Sequence, residues 1–335
     1  MVQRSYQVMV DEQKKGMVPV VKGDLTGKTV VITGANSGIG YEAAKHFATM
    51  NTGRLIIVCR SLEKARGAIK QIEAETGYKN AEPMALDLSD FSSISTFATQ
   101  ANKTLDRLDI LVENAGVAKT GQYFVTNDGW EEMFQVNGLG TTMHAILLLP
   151  VIFKTAKEHS VAPRIVVVSS EIIFSANIGP DALAASNTLE MLSSKEYCTP
   201  DRYALSKLFN VFLVHKLAAL LPKNIIPVSL NPGFCLSGLR RHASGALAEQ
   251  YDKMDAEFAY TSEEGSRQIV YAAIGGTDEE VRGAFTSYSQ VLGVPDWILS
   301  EDGKKAQDKT WDEMLELFSK LDNRIPSIIA DYLKA

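Results

Sequence analysis

The stretch KTVVITGANSGIG, residues 28–40, constrains the fold more than any other part of the chain. A short apolar run at residues 30–32 predicts a buried strand, and the pattern at residues 41–50 predicts a helix. Three glycines separate the two: Gly34, Gly38 and Gly40. Such a turn places backbone N–H groups and the positive end of a helix against an anion such as pyrophosphate. The spacing G-x-x-x-G-x-G differs from the G-x-G-x-x-G fingerprint but supplies the same mechanics.

Further apolar runs, each bounded by turn residues, predict six more strands. They cover residues 54–60, 81–88, 109–116, 164–170, 225–230 and 283–288. Helical patterns lie between them, including a long one at residues 128–158 and a strong one at residues 202–221. Unbroken apolar strands that alternate with helices are typical of a parallel sheet covered on both faces. The sequence therefore predicts an α/β fold: a single Rossmann-type, doubly wound domain with a mostly parallel seven-stranded sheet and helices on both faces.

Composition and charge argue against several classes of protein. The 335-residue chain has a net charge of −6 and no cluster of Lys and Arg, so nucleic acid and anionic membrane are not expected partners. The longest apolar run, residues 145–153, is well short of the roughly 20 residues that a membrane span needs. The first residues have no signal-type apolar segment, which predicts a cytoplasmic protein.

The cysteines and histidines have neither disulfide nor metal-site spacing. Cys59, Cys198 and Cys235 are odd in number and far apart, which is typical of free thiols in a reducing compartment. The five His residues show no metal-ligand spacing, and no metal is expected.

Tyr203 and Lys207 are four residues apart in the strong predicted helix, so the phenol and the ammonium share one face. A phenol has an ordinary pKa of about 10, too high for ready proton exchange near neutrality. A cation within about 4–6 Å favours the phenolate and lowers that pKa. The pair therefore predicts a general acid/base at Tyr203, with its pKa lowered by Lys207.

Motifs in a fixed order across about residues 27–290 resemble the short-chain dehydrogenase/reductase family, classical type. They are TGxxxGxG at residues 33–40, Asp87 at the adenine-site position, ENAG at residues 113–116 where the family has NNAG, Asn137, Ser170, YxxxK at residues 203–207, and Pro232 with Gly233 after the sixth strand. Ser170 and Tyr203 are 33 positions apart, more than in compact members. Members similar to retinol dehydrogenases and carbonyl reductases also lengthen this region.

The resemblance implies roles for these residues. Ser170 would hold the substrate oxygen, and Tyr203 would pass a proton to it. Lys207 would bind the nicotinamide ribose, and Asn137 would anchor a water that leads protons to Lys207. The implied cofactor contacts are Gly34, Asn36, Ser37, Gly38, Ile39, Gly40, Arg60, Ser61, Asp87, Leu88, Asn114, Ala115, Gly116, Tyr203, Lys207, Pro232, Gly233 and Ser237. Glu113 replaces the first Asn of NNAG, and we expect structural rather than catalytic consequences.

Segment boundaries follow from the motifs and from the alternation of strands and helices. Residues 1–26 have no convincing period and are predicted to form an N-terminal arm. Residues 27–290 are predicted to form the dinucleotide-binding catalytic domain, with an insertion at 171–202 and a substrate loop at 233–262. Residues 291–335 are predicted to be a C-terminal helical extension of the same domain. Since the insertion and the tail could cover the helix through which compact members pair, we expect a monomer or a homodimer.

The expected cofactor is NADP(H), because of the residues at the end of the second strand. An NAD site typically has Asp or Glu about 20 residues after the glycine loop. That position holds Arg60, preceded by Cys59, so no carboxylate would repel a 2′-phosphate. Arg60 offers a fork of donors to such a phosphate, and Ser61 a hydroxyl.

Apolar residues near the expected nicotinamide position predict a lipophilic substrate. The expected pocket residues are Ile172, Phe174, Phe234 and Leu236, with few charges and with the insertion acting as a lid. The resulting hypothesis is an NADPH-dependent oxidoreductase that reduces a ketone or aldehyde of a medium-sized hydrophobic substrate. Two alternatives stay open: reduction of a conjugated C=C bond on the same scaffold, and a non-catalytic NADP-binding protein.

Overall fold

Eight strands form one sheet in the computed structural model, which describes residues 4–119, 122–197 and 202–334. They are β1 (Thr29–Thr33), β2 (Arg54–Cys59), β3 (Ala81–Ala85), β4 (Ile110–Glu113), β5 (Arg164–Val168), β6 (Ile226–Leu230), β7 (Phe285–Ser287) and β8 (Gln290–Leu292). Their order is β3-β2-β1-β4-β5-β6-β7-β8, parallel as far as β7. The chain changes direction across the sheet between β1 and β4, so the predicted doubly wound α/β class is confirmed.

The predicted count of seven strands is wrong, because β8 pairs antiparallel with β7. Tyr288 and Ser289 form the turn between them, with positive φ angles of 54° and 55°. Turns of this kind favour Asn and Gly, and neither occurs at these two positions. Gln268 stabilises the turn instead, since its Oε1 accepts a hydrogen bond from Ser289 N at 2.7 Å and its Nε2 donates to Ser289 Oγ at 3.1 Å.

Helices cover both faces of this sheet. The α-helices of the described residues are α1 (Tyr6–Gln13), α2 (Gly38–Ala48), α3 (Leu62–Thr76), α4 (Phe91–Thr104), α5 (Glu132–Phe134), α6 (Thr141–Leu147), α7 (Leu149–His159), α8 (Pro180–Ala184), α9 (Thr188–Ser193), α10 (Arg202–Leu220), α11 (Ala246–Phe258), α12 (Ser262–Ile274), α13 (Asp278–Val281), α14 (Asp296–Leu299), α15 (Glu301–Leu321) and α16 (Ile325–Tyr332). Gln135–Gly140 is a π-helical turn, and Glu171–Ser175 and Gly238–Arg240 are 3₁₀ turns.

The alternation of side chains along β1 divides the core into two layers. Val31 packs in the layer built with α4, α6, α7 and α10, whereas Val30 and Ile32 pack in the layer built with α2, α3 and α12. All three side chains are fully buried. Burying each contributes about 1.5–3 kcal/mol, and burial on both faces explains why the strand is an unbroken apolar run.

The long helix predicted at residues 128–158 is broken in the structure. Glu132–Leu147 and Leu149–His159 meet at an angle of 43°, and Pro150 lies in the first turn of α7. Proline lacks the N–H that a helix interior needs but fits its first turn. Asn137 lies in the π-helical turn between α5 and α6, a distortion that is frequent at functional sites.

One continuous helix of the described residues, α10, is long and apolar enough to cross a membrane, and the bent pair α5–α7 passes the same test only if counted as one span. In α10, 67% of the apolar window is buried inside the fold. Its buried residues pack in the core layer described above, as expected of a core helix.

Three segments extend the fold beyond the sheet and its covering helices. The N-terminal arm contains α1, a helix that the sequence pattern did not predict. The insertion forms α8 and α9, and the tail forms α14, α15 and α16. Glu313 on α15 accepts hydrogen bonds from Thr188 N and Leu189 N, each at 3.0 Å, so the tail caps the first turn of α9.

Candidate active site

A cleft of about 710 Å³ opens at the carboxyl ends of the parallel strands. In doubly wound sheets, ligands bind at this edge, where the strand order reverses. The residues from the predicted sites that line the cleft are Gly34, Asn36, Ser37, Gly38, Ile39, Gly40, Arg60, Asp87, Leu88, Asn114, Ala115, Gly116, Ser170, Ile172, Tyr203, Lys207, Pro232, Gly233, Phe234 and Ser237. Four others lie outside its wall: Ser61, Asn137, Phe174 and Leu236.

The glycine turn is locked against the end of β4. Gly34 has a φ of +69°, and a Cβ there would lie 2.9 Å from Ala115 Cα. Asn114 Nδ2 donates to Thr33 O at 2.8 Å, and a Cβ at Gly40 would clash with that amide. Thr33 Oγ1 accepts from the backbone N–H groups of Asn114 and Ala115 at 2.9 and 3.0 Å. Close packing therefore requires glycine at both positions.

The N-terminus of α2 faces the cleft without a side-chain cap. Ser37 is the N-cap residue, yet its side chain makes no capping hydrogen bond. Gly38, with a φ of +62°, and Ile39 follow it on the cleft wall. The first N–H groups of a helix have no intrahelical partner and attract negative charge. These residues therefore fit the pyrophosphate of a dinucleotide.

Two exposed cations line the cleft near the end of β2. Arg60 follows that strand, and Lys64 lies in the first turn of α3. Lys64 was not among the cofactor contacts expected from the sequence. Its position three residues after Ser61, in the first turn of a predicted helix, could have indicated that it lies near the phosphate. Ser61 is the N-cap of α3, and its Oγ accepts from Lys64 N at 3.3 Å. The structure thus shows the Ser61 hydroxyl as a helix cap and adds Lys64 as a second cation at this end of the cleft.

Tyr203 and Lys207 lie on the first two turns of α10 and both line the cleft. Lys207 is 4% exposed. Its Nζ donates to Val168 O at 2.8 Å and to Asn210 Oδ1 at 3.3 Å, and it lies 6.0 Å from the centroid of the Tyr203 ring. A Cβ at Gly116 would lie 3.5 Å from this Nζ, so glycine keeps the approach to the ammonium open.

Burial dominates the titration of this pair. It raises the pKa of the Tyr203 phenol and lowers the pKa of Lys207 to about 8. The expected lowering of the Tyr203 pKa by Lys207 is therefore wrong, because desolvation outweighs the cation. The cation that favours the phenolate is Arg240, which sequence reasoning missed. The raised pKa keeps the phenol protonated at neutral pH, as a proton donor requires.

Asn137 lies behind the pair. Its Oδ1 accepts from Val117 N, and its Nδ2 donates to Val117 O and to Ser206 Oγ, each at 2.9 Å. Its backbone carbonyl accepts from Asn210 Nδ2 at 2.6 Å, and Asn210 also bonds Lys207. The structure thus connects Asn137 to Lys207 through Asn210, a residue that sequence reasoning missed.

Ser170 follows β5 and leads into the 3₁₀ turn. Its Oγ accepts from Ile172 N at 3.3 Å, which leaves the hydroxyl proton free. The neighbouring Ser169 Oγ donates to Lys207 O at 2.8 Å, and Ser169 is buried. Of the two serines, Ser170 is therefore the one that can donate to a substrate oxygen.

Two of the four expected pocket residues lie elsewhere. Phe174 lines a separate hollow with Pro295 and Trp297. It is two residues beyond Ile172 in a 3₁₀ turn, which repeats every three residues, so the two side chains face different ways. Leu236 is 43% exposed. It follows Cys235, which is buried in a parallel bridge to Tyr260, and alternation turns Leu236 outward.

The pocket was expected to have few charges. Besides the charged residues already described, four more line the cleft: Glu132, Glu171, Arg240 and Arg241. The Arg240 guanidinium lies 4.0 Å from the Phe234 ring centroid and 5.2 Å from that of Tyr251, and it pairs with Asp255. A cation stacked on two rings therefore lies in the cleft wall beside the expected pocket residue Phe234.

The described residues of the insertion form only a small part of the cover that was expected of it. Of the described residues in the insertion, Glu171 and Ile172 line the cleft, while α9 is held by the tail. The cover comes from α1 and α11, through Tyr6, Met9, Val10, Gln13, Tyr251, Met254 and Phe258. Among the thiols, Cys59 and Cys235 are free and buried, whereas Cys198 lies outside the described residues.

The sheet, the uncapped glycine turn at its carboxyl edge and the Tyr203–Lys207 pair define a dinucleotide-binding oxidoreductase of doubly wound fold. The family model for short chain dehydrogenase matches residues 28–247. The chain belongs to this family, and the resemblance drawn from the motifs is confirmed.

Two relatives show the extent of the likeness. Short chain dehydrogenase/reductase dmxR8 of Cryptosporiopsis sp. (strain 8999) is 31% identical over 324 residues, which are 94% of this chain and 97% of the relative. Short chain dehydrogenase sol3 of Alternaria solani is 33% identical over 264 residues, which are 78% of this chain and 90% of the relative.

Solved structures share the fold. A short chain dehydrogenase from Escherichia coli CFT073 in complex with NADPH superposes with a TM-score of 0.60 at 23% identity and covers 80% of this chain and 99% of that one. Salutaridine reductase from Papaver somniferum gives a TM-score of 0.57 at 22% identity, with 78% and 99% covered.

Proposed function

We propose that this protein uses NADPH to reduce a ketone or aldehyde of a medium-sized hydrophobic substrate to the alcohol. One observation carries the proposal: Ser170, Tyr203 and Lys207 line the same cleft as the glycine turn. A hydroxyl, a protonated phenol and an ammonium beside a dinucleotide site are the groups that carbonyl reduction needs.

The residues of the cleft fit NADP(H). The uncapped start of α2 would hold the pyrophosphate, and Lys207 the nicotinamide ribose. Arg60 and Lys64 would hold the 2′-phosphate, since both are exposed on the cleft wall and no carboxylate occupies position 60. The similar structure from Escherichia coli CFT073 was solved with NADPH, which supports the same choice.

The protein's own groups would position the carbonyl and supply its proton. The cofactor, when bound, supplies the hydride. Ser170 donates a hydrogen bond to the substrate oxygen, which fixes its position and stabilises negative charge on it. Tyr203 then passes its phenolic proton to that oxygen, and the Arg240 guanidinium favours the phenolate that is left. Asn137 and Asn210 hold Lys207 in place.

Consumption of NADPH with a panel of ketones, aldehydes and enones tests the proposal. We expect turnover with hydrophobic ketones or aldehydes, and Tyr203→Phe should lose most of it while binding NADPH normally. Tyr271→Phe, on α12 and away from the cleft wall, is the matched control and should keep full activity. Turnover confined to enones would favour the C=C alternative, and normal activity of a folded Tyr203→Phe protein would exclude the mechanism.

A further inference from the structure

The helix α1 lies outside the residues that the family model matches, yet it lines the active-site cleft. Tyr6, Met9, Val10 and Gln13 contribute to the wall together with Phe258 of α11. Aromatic and thioether side chains of this kind pack well against flat apolar groups. The wall of the cleft therefore includes a segment outside the residues that the family model matches.

Gln13 ties α1 to the substrate loop, residues 233–262, and is 5% exposed. Its Nε2 donates to Phe234 O at 2.7 Å and to Phe258 O at 3.0 Å, and its Oε1 accepts from Phe234 N at 3.0 Å. Phe234 and Phe258 belong to opposite limbs of the loop. One carboxamide thus joins both limbs, and its polar atoms are satisfied by backbone groups.

The neck of this loop is already closed by its own backbone. Tyr260 N donates to Phe234 O at 2.9 Å, and Leu236 N donates to Tyr260 O at 2.8 Å. Gln13 adds further hydrogen bonds at the same place, much as an additional peptide group would. Without it, the N–H of Phe234 and the carbonyl of Phe258 lose their partner, which costs more than the hydrogen bonds themselves contribute.

Arg4, just before α1, attaches to the residue that follows Ser170. Arg4 Nε lies 3.1 Å from Glu171 Oε1, and Arg4 also pairs with Glu12. Glu171 Oε2 accepts a hydrogen bond from the Tyr288 hydroxyl at 3.1 Å. The helix is thus fixed to the substrate loop through Gln13 and to the vicinity of Ser170 through Arg4.

We propose that α1 forms part of the substrate site, and that Gln13 is a positioning residue that holds the substrate loop against the flat apolar portion of the substrate. This inference rests on the proposed carbonyl reduction for its kinetic consequence only. Gln13 touches neither the reacting atoms nor the glycine turn, so its role is to fix the wall rather than to take part in proton transfer. Its loss should therefore weaken substrate binding and leave NADPH binding unchanged.

Kinetics of Gln13→Leu, with Gln7→Leu as its matched control, test the substrate role. Gln7 lies on the same helix, is exposed, and bonds Asp11. With an aryl ketone, Gln13→Leu should raise KM about tenfold, the effect of about 1.4 kcal/mol, and change kcat less than twofold. With a short aliphatic ketone, which does not reach the wall, KM should stay within twofold. Equal KM values for Gln13→Leu and Gln7→Leu with the aryl ketone would overturn the proposal.

Limited trypsin digestion tests the loop without any substrate. Lys253 is an exposed site on α11, inside the loop. Gln13→Leu should be cut there several-fold faster than the wild type and Gln7→Leu, both with and without NADPH. Equal rates would refute the positioning role. If the wild type reduces no carbonyl, the proposed function is wrong, but this result does not bear on Gln13. The digestion rates then still decide whether Gln13 positions the loop.

Discussion

Glu113 and His144 form a buried pair beneath the cofactor cleft, with Glu113 Oε1 2.5 Å from His144 Nδ1. Glu113 ends β4, and His144 lies on α6, so the pair joins the sheet to the helix layer. The second carboxylate oxygen accepts from Thr33 Oγ1 at 3.4 Å, at the start of the glycine turn. His144 thus supplies a partner for the glutamate that stands where the family has asparagine.

Breaking this pair should destabilise the fold. Glu113→Ala leaves the imidazole buried without its partner, and we expect a loss of about 3–5 kcal/mol in the free energy of unfolding. Glu113→Leu combined with His144→Phe should be clearly more stable than the sum of the single variants predicts, because no polar group is left unpaired. Urea unfolding measures all the variants. Strictly additive losses would contradict the pairing.

Lys207 should make both the stability and the activity of the protein depend on pH, and its effect on stability comes first. Its pKa lies at about 8, below the ordinary 10.5, so the folded chain binds fewer protons than the unfolded chain between these values. The buried ammonium therefore costs stability below pH 8, and this cost fades as the pH rises toward 10.5.

Deprotonation should also remove the charge that faces the ribose. The value of kcat/KM for NADPH, which reports ionisations of the free enzyme, should decline with an apparent pKa near 8. Tyr203 stays protonated throughout this range, because burial raises the pKa of its phenol. Lys207→Met should be slow and should lack this decline. A wild-type decline that begins only above pH 10 would show that burial does not control Lys207.

Cofactor preference should depend on Arg60 and Lys64. A charge-assisted hydrogen bond contributes about 1.5–3 kcal/mol, so Arg60→Ala should reduce kcat/KM for NADPH about ten- to a hundredfold and leave that for NADH nearly unchanged. Lys64→Ala should have a smaller effect in the same direction. Arg66→Ala, exposed on the same helix as Lys64, is the control. Equal use of NADH and NADPH by the wild type would refute the assignment, and Cys59→Asp with Arg60→Ala should favour NADH.

The protein should be a monomer of 36.6 kDa or at most a homodimer. The tail covers α10, where Lys216 Nζ lies 2.7 Å from Asp308 Oδ1, and it covers α7, where the rings of Phe153 and Tyr332 are 4.6 Å apart. Light scattering coupled to gel filtration measures the mass. Removing residues 293–335 should uncover apolar helix faces and cause self-association, whereas removing residues 333–335 should not. A stable wild-type tetramer would contradict this reading.

The sequence predicted best what local patterns encode. The β1 strand, the glycine turn and the Tyr203–Lys207 spacing each depend on residues close in the chain, and the structure places them as expected. It predicted least where partners are remote. Gln13 forms hydrogen bonds with residues more than 200 positions away, which no local pattern encodes. Helix α1 has one narrow buried face, so residues 1–26 show no hydrophobic period that would have predicted a helix.

The direction of the Tyr203 pKa shift could not be predicted from the sequence for a similar reason. Spacing showed that Lys207 lies near Tyr203, but the sign of the pKa shift depends on how much protein surrounds the phenol. The role of Arg240 likewise depends on the path of the substrate loop, which brings it onto the ring of Phe234.

The cap that Glu313 places on α9 makes two lengthened regions of the chain interdependent. Lys309, one turn earlier on α15, donates to the carbonyls of Leu183 and Ala185 at 2.8 and 2.6 Å and so holds the end of α8 as well. The tail thus provides hydrogen-bond partners for the helix ends of the insertion, and the insertion provides partners for the charged side chains of Glu313 and Lys309 in the tail. A chimera with a compact relative would therefore have to exchange both regions together. The insertion transplanted alone would carry unpaired helix ends into its new host, and the tail transplanted alone would carry unpaired charges.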